Sequence, residues 1–399
     1  MDKKVKLKHA IVALIVTNLI TAVAVSVLPI PFFGGKRIVS KVEYDFLKKY
    51  EKMFRVENIV TNSYVDKQNI DEKKMIDGAI TGMVDAIGDP YTVYLDKKQF
   101  EELLTQTRGT YGGVGIVVGE KDGKLTVVAP IEGSPAEKAG IRSGDIILKV
   151  DGKEITARDI DKAVTMMRGK EGTKVVLTIY REGKGVKNYE LIRDVIVLKT
   201  VKNKVLSDNI GYIRISSFDE NTFKEFENAI DELQKKNIKG LVLDLRDNPG
   251  GLLEASVNIA DMLLPQGTIV YTIDNNGKKE VWKSDSKNIG IPLVVLVNEG
   301  SASASEILAG AIRDFKAGTL IGTKTFGKGL VQNVIDLKDG TGVKVTIARY
   351  YTPKGECIQG KGIIPDIIYD MPKELKDKEV SIDNDPQIKK ALEILKSKI

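Results

Sequence analysis

Apolar and polar positions follow three textures along this chain. Ala10 to Leu28 carries no charge for nineteen residues, about the length that crosses a bilayer as a helix. Pro29-Ile30-Pro31 and Gly34-Gly35 end that run. Over 38–108 the spacing is helical: Val42, Phe46, Leu47 and Tyr50 recur on one face. Met75, Ile76, Ala79, Ile80, Met83 and Val84 do the same before Gly88-Asp89-Pro90 stops the helix. Residues 109–185 change to short β-rich runs broken by glycine: Ile116-Val117-Val118, Leu125–Ala129, Ile146–Val150 and Lys174–Tyr180. A short helix after Ser134-Pro135 and a longer one over 159–168 interrupt them. From about 190 to 370, strand, glycine-rich loop and helix alternate. Ile210–Ile215 precedes a helix over 219–236, Leu241–Leu245 one over 252–264, and Leu293–Val297 one over 303–315. Repeated β-loop-α units predict a sheet with parallel strands and helical crossovers. Asp339-Gly340 marks a hairpin, and 385–399 reads as a charged amphipathic helix.

Composition narrows the chemistry. At 399 residues with 42% hydrophobic and 29% charged positions, the chain has material for more than one core. The single His, His9, lies beside the N-terminus, which argues against a His-based triad, and one His and one Cys exclude a polyhistidine zinc site and an intrachain disulfide. The net charge of +6 is also local: residues 1–37 hold six basic groups against one acid, so the rest is nearly neutral. A nucleic-acid footprint, which needs clustered Lys and Arg on a folded face, has no compositional support. Four lysines ahead of Ala10–Leu28 read as a signal-anchor with the working part outside the cytoplasm. A cleaved signal peptide ending near Ala22-Val23-Ala24 is the alternative.

Four segments are candidates for chemistry. Gly300-Ser301-Ala302-Ser303-Ala304-Ser305-Glu306 ends a strand and begins a helix. A serine there is either an N-cap or a nucleophile whose oxyanion the helix N-terminus would stabilise. Thr325-Phe326-Gly327-Lys328-Gly329 offers a lysine base if burial lowers its pKa, with Gln332 to orient the amine; a solvated loop lysine is the plain alternative. The same stretch nearly matches a phosphate loop, but Gly329 stands where a magnesium-binding hydroxyl belongs. Asp247-Asn248-Pro249-Gly250-Gly251 is a tight turn or half of an oxyanion hole. Gly113-Val114-Gly115-Ile116 fits a backbone nest for a peptide carboxylate.

In combination these segments resemble the C-terminal-processing peptidases (tail-specific proteases). The likeness covers roughly 40–399 and is most specific at Gly300–Glu306 and Phe326–Gly329, with Gly-Ile-Ile-Pro-Asp at 362–366 also fitting. It implies an α/β multidomain chain: a basic segment over 1–9, an anchor over 10–28, an N-terminal helical domain over 38–108, and a PDZ domain over 109–185. A crotonase- or ClpP-like peptidase core over 186–372 and a tail helix over 373–399 follow. By resemblance Ser303 is the nucleophile, Lys328 the general base and Gln332 its orienter. Ala304, Gly250 and Gly251 are the oxyanion donors, Gly113, Val114, Gly115 and Ile116 the carboxylate loop, and Arg168 a possible PDZ sensor. Arg168 alternatively is a cation at a helix C-terminus. The implied activity needs no cofactor or metal. The expected partners are protein substrates with apolar C-termini, a second copy of the chain and the membrane, with no nucleic acid. A non-catalytic PDZ adaptor is the competing class, and Cys357 reads as structural.

Overall fold

The structure, a computed structural model, describes residues 2–27, 39–375 and 380–399, with the side chains of the first helix described from Lys8 to Thr21. The chain divides into two units, 1–78 and 79–399.

In the first unit, α1 spans Asp2–Val27 and α2 Lys41–Ser63; α3, Glu72–Asp85, begins there and runs into the second unit. Ser40 starts α2 through a capping box with Glu43. No residue of α2 is buried, so Val42, Phe46, Leu47, Phe54, Val56 and Ile59 stand exposed. The described residues contain no helix long and apolar enough to cross a membrane. The expected anchor over 10–28 therefore finds no support here, and Leu28 itself lies outside the described residues.

The second unit continues with β1 (Val93–Leu95), α4 (Lys97–Arg108), β2 (Thr110–Gly113), β3 (Ile116–Lys121), β4 (Lys124–Pro130) and α5 (Pro135–Lys138). Next come β5 (Ile146–Val150), β6 (Lys153–Glu154), α6 (Ile160–Met167), β7 (Lys174–Arg181), β8 (Gly185–Ile192) and β9 (Asp194–Val197). Strands β3-β4-β5-β7-β8 form one antiparallel sheet around a core that includes Val114, Leu125, Ile147, Ala163, Met167 and Leu177. Two differences from the sequence reading appear. β8 pairs with β7 along its whole length, so this sheet extends past 185 to Ile192. β1, inside the region expected to be helical, pairs with a strand more than two hundred residues later.

The remainder holds β10 (Val201–Val205), β11 (Ile210–Ile215), α7 (Thr222–Lys235), β12 (Gly240–Asp244), α8 (Leu253–Leu263), β13 (Gly267–Asp274), β14 (Lys279–Ser284) and β15 (Leu293–Val297). It ends with α9 (Ala304–Phe315), β16 (Thr319–Gly322), β17 (Leu330–Asp336), β18 (Gly342–Tyr351), β19 (Ile367–Ile368) and α10 (Pro386–Lys396). The sheet β10-β11-β12-β15-β16-β19 is parallel except at β10. β12 and β15 are buried at every position, which is why Leu241–Leu243 and Leu293–Val297 read as unbroken apolar runs. Leu241, Leu243 and Val295 face α7, α8 and α9; Val242, Val294 and Leu296 face Ile388, Ala391 and Leu395 of α10. Each such buried side chain contributes roughly 1.5–3 kcal/mol. A second sheet, β1-β18-β13-β14 with β17 against β18, carries the expected hairpin at Asp339-Gly340.

Candidate active site

Three loops meet at the C-terminal ends of β12, β15 and β16. The first leaves β15 and enters α9 through the serine cluster. Ser301 and Ser305 are fully buried: Ser301 Oγ donates to Leu245 O at 2.7 Å, and Ser305 Oγ to Asn248 O at 2.9 Å. Both hydroxyls are thereby spent on the neighbouring turn. Ser303 differs, being half-buried with φ 55° and ψ −114° at the N-cap of α9. A non-glycine residue there stores backbone strain of about 1–3 kcal/mol, as serines on sharp strand-to-helix turns do. Tyr350, buried, steadies the strained residue by donating to Ser303 O at 3.1 Å.

The second loop is the turn after β12. Asn248, fully buried, donates to Ile215 O at 2.9 Å and accepts the Gly250 N–H at 2.9 Å. Gly250 has φ +99°, and a Cβ there would lie 2.8 Å from Ser303 Cβ and 2.9 Å from Ala304 N, so only glycine fits. This corrects one expectation: the Gly250 N–H is committed to Asn248 and is not an open oxyanion donor in this arrangement. Phe218 bridges to the turn through Gly250 O and the Leu252 N–H, which leaves the Gly251 N–H outside that bridge. Ala304 opens α9, where the N–H groups of the first turn lack helical partners.

The third loop, 325–329, follows β16 and packs on 359–363. Gly329 donates to Gln359 Oε1 at 2.8 Å, and Thr325 and Ile363 exchange hydrogen bonds. Lys328 is half-buried. Burial pulls its ammonium below the usual lysine value, Lys344 adds to that, and Asp89 and Glu306 oppose it. Its Nζ sits 4.7 Å above the Tyr91 ring.

Glu306 joins the first and third loops. Its carboxylate, with no exposed surface, accepts from Ser303 N (2.9 Å), Thr325 Oγ1 (2.5 Å), Gly327 N (2.7 Å) and Lys328 N (2.9 Å). The serine and lysine backbones are thus held by one buried anion. Their side chains are not joined: among the described residues, no hydrogen bond or ion pair links Ser303 to Lys328, or Lys328 to Gln332. Gln332 Nε2 is buried without a partner. Glu306 carried only a capping signal in sequence, three residues after Ser303; nothing pointed to its bonds with 325–328.

The peptide-binding candidate lies between β2 and β3. Val114 O accepts from Ala136 N at 3.0 Å, and Gly115 O from Ile131 N and Ser134 Oγ at 2.9 and 3.1 Å. Those bonds fix Gly113–Ile116 against the start of α5. Arg168 follows α6 in extended conformation, its guanidinium 4.8 Å from the Tyr111 ring and its Nε buried without a partner. The helix-end cation is instead Arg193, which donates to Met166 O, Met167 O and Lys174 O.

Comparison with known proteins places these parts. Residues 209–369 match peptidase family S41, 126–181 a PDZ domain, and 36–99 the N-terminal domain of the activating protease CtpB. The chain is 41% identical over 361 residues to the carboxy-terminal processing protease CtpA of Bacillus subtilis (strain 168), spanning 90% of this chain and 77% of that one. It is 41% identical over 325 residues to the carboxyl-terminal-processing protease of Synechocystis sp., spanning 79% and 76%. A solved S41-type structure from Bacteroides fragilis NCTC 9343 shares the fold, with a TM-score of 0.52 at 18% identity over 86% of this chain and 97% of that one. The class is a serine peptidase with a PDZ domain and an N-terminal helical region. Within it, the chain belongs to peptidase family S41, among the carboxy-terminal processing proteases.

Proposed function

We propose that the enzyme cleaves proteins presented by their apolar C-terminal tails, using Ser303 as nucleophile and Lys328 as general base. The observation that carries this is the contrast among the three serines: Ser301 and Ser305 are buried and spent, while Ser303 is strained and partly exposed, with its backbone tied to that of Lys328 through Glu306. Neutral Lys328 takes the proton as Ser303 Oγ attacks the scissile carbonyl. The N–H groups of Ala304 and Gly251 receive the oxyanion, with Gly250 keeping the turn close to Ser303. Each such donor is worth about 10²–10³ in turnover. The ammonium then protonates the leaving amine, and water hydrolyses the acyl-enzyme. Gln332, with its buried unpaired amide, orients the amine once it leaves its resting position.

Tail recognition falls to Gly113, Val114, Gly115 and Ile116: the terminal carboxylate meets backbone N–H groups and the tail adds as a strand beside β3. Arg168 reports occupancy of that groove to the core, which gates activity. The unpaired Arg168 Nε supports a group that exchanges partners. The apolar run at 10–28 and its preceding lysines support an anchored enzyme with its catalytic part extracytoplasmic, or a secreted one after signal cleavage. Exposed apolar residues along α2 support a homodimer.

The test is cleavage of a peptide with an apolar C-terminus, read by mass spectrometry. Ser303→Ala and Lys328→Ala should each abolish product while the chain still folds cooperatively. Full cleavage by either variant refutes the assignment. Measurable binding of intact peptide by the wild-type chain, without products, would favour a PDZ adaptor.

A further inference from the structure

Lys328 has a partner that neither Ser303 nor Gln332 supplies. Its Nζ lies 4.7 Å from the centroid of the Tyr91 ring. The ring face attracts an ammonium through its quadrupole and offers a neutral amine no comparable attraction. This contact therefore selects the protonated form.

Tyr91 is held in place independently of the lysine. It stands in the turn Gly88-Asp89-Pro90-Tyr91-Thr92, where the Asp89 carboxylate accepts from the Tyr91 N–H at 3.1 Å and from Thr92 Oγ1 at 2.6 Å. Thr92, buried, accepts the Thr346 N–H of β18 at 3.1 Å, and β1 then pairs with β18 from Val93 opposite Lys344. Thr346 is also the register partner of Gln332. The strand that fixes the ring thus neighbours the amide whose Nε2 is buried without a bond. The amine rests on the ring, and the unpaired amide belongs to the residue opposite Thr346, whose N–H anchors the turn that carries the ring.

We propose that Tyr91 is a positioning residue for Lys328: its ring docks the charged amine in the resting enzyme, and loss of the proton to solvent releases the amine toward Ser303 and Gln332. The proposal rests on Lys328 being the base. The charged groups around the amine work in both directions: Asp89 and Glu306 favour the ammonium, while Lys344 and burial disfavour it. The ring adds to the first pair without adding a formal charge. Position and protonation are coupled, because the dock holds only the form that cannot act as a base.

The experiment is the pH profile of kcat/KM for the full chain with an apolar-tailed peptide, in wild type, Tyr91→Phe, Tyr91→Leu and Tyr91→Trp. Phenylalanine keeps the ring face, so its acid limb should coincide with wild type. Leucine removes the dock, and the limb should move to lower pH by about half a unit or more, with KM unchanged. Tryptophan presents the stronger face, and its limb should move to higher pH. If the leucine variant does not fold, the tryptophan and phenylalanine profiles decide alone. A midpoint that stays at the wild-type value in Tyr91→Trp and in any folded Tyr91→Leu, or a phenylalanine profile shifted like the leucine one, overturns the proposal. Lys328→Ala separates the two readings: if it still cleaves, the base assignment fails and this inference with it. If it is inactive while the Tyr91 midpoints do not move, only the role of Tyr91 is lost.

Discussion

Arg246 Nη1 donates to Asp385 Oδ2 at 2.8 Å, joining residues 139 positions apart in a buried contact. Arg246 directly precedes the Asp247–Gly251 turn against Ser303, and Asp385 caps α10 by accepting from Gln387 N and Ile388 N. The guanidinium also grips Asp244 through Nε and Nη2 and reaches Gln387 Oε1. Asp244 is fully buried, which alone would raise its pKa, yet Arg246 holds its carboxyl below the usual range. The tail helix is therefore fastened to the start of an active-site turn.

Removing one partner of this buried cluster should be costly. Asp385→Ala takes away both the counter-charge and the cap and is expected to destabilise the second unit by about 3–5 kcal/mol. Asp385→Asn keeps a capping oxygen and should lie between wild type and alanine. Urea titration checks the order, and equal stability of all three chains would contradict it.

Glu306→Gln tests the bridge between the loops. Four donors converge on two carboxylate oxygens. An amide replaces one acceptor by a donor aimed at other donors, so even this isosteric change should cost roughly 1–3 kcal/mol. Turnover should fall at least tenfold, with KM little changed. Wild-type kcat in Glu306→Gln would show that the bridge has no catalytic consequence.

Lys328 links stability to pH with a definite sign. Its folded-state pKa lies below the ordinary 10.5, mainly through burial. Below the folded value the ammonium is carried at the full cost. That cost is relieved as pH rises through the folded pKa toward 10.5. Lys328→Met should thus raise the unfolding temperature at neutral pH while abolishing cleavage, and its advantage should shrink in alkali. A methionine variant less stable than wild type at neutral pH would contradict the burial cost.

The exposed face of α2 makes a prediction about assembly. Phe46 and Ile59 are 59% and 57% exposed on a helix that buries nothing. Sedimentation of the full chain should find a dimer, and Phe46→Glu with Ile59→Glu should yield monomers. A monomeric wild type would remove the homodimer reading.

Much of this architecture is legible in the sequence. Leu241–Leu243 of β12 and all of β15 are apolar because both faces are covered, and α7 shows 3.6-residue spacing because one face packs on the sheet. The segments 247–251, 300–306 and 325–329 could be picked out because their turns set small residues beside a reactive group, whereas the choice of Ser303 among three serines and the role of Lys328 come from the family resemblance. What escaped the sequence depends on distant pairing. Val93-Tyr94-Leu95 is too short for alternation to identify a strand, and it pairs only because β18 lies beside it. Glu306 carries an ordinary helix-start signal, and its second function exists only after residues 325–328 fold over it. Tyr91 follows the Gly88-Asp89-Pro90 helix stop and carries no signal of its own, and the bond from the Gly250 N–H to Asn248 depends on a fold of the turn that its glycines do not specify.

The most direct test follows the Lys328 side chain itself. NMR of the full chain with isotope-labelled lysine, assigned by comparison with Lys328→Met, gives the pH at which this amine loses its proton. Our account expects that midpoint to coincide with the acid limb of kcat/KM, below the ordinary lysine range. An amine still cationic at pH values where cleavage is already maximal would contradict it.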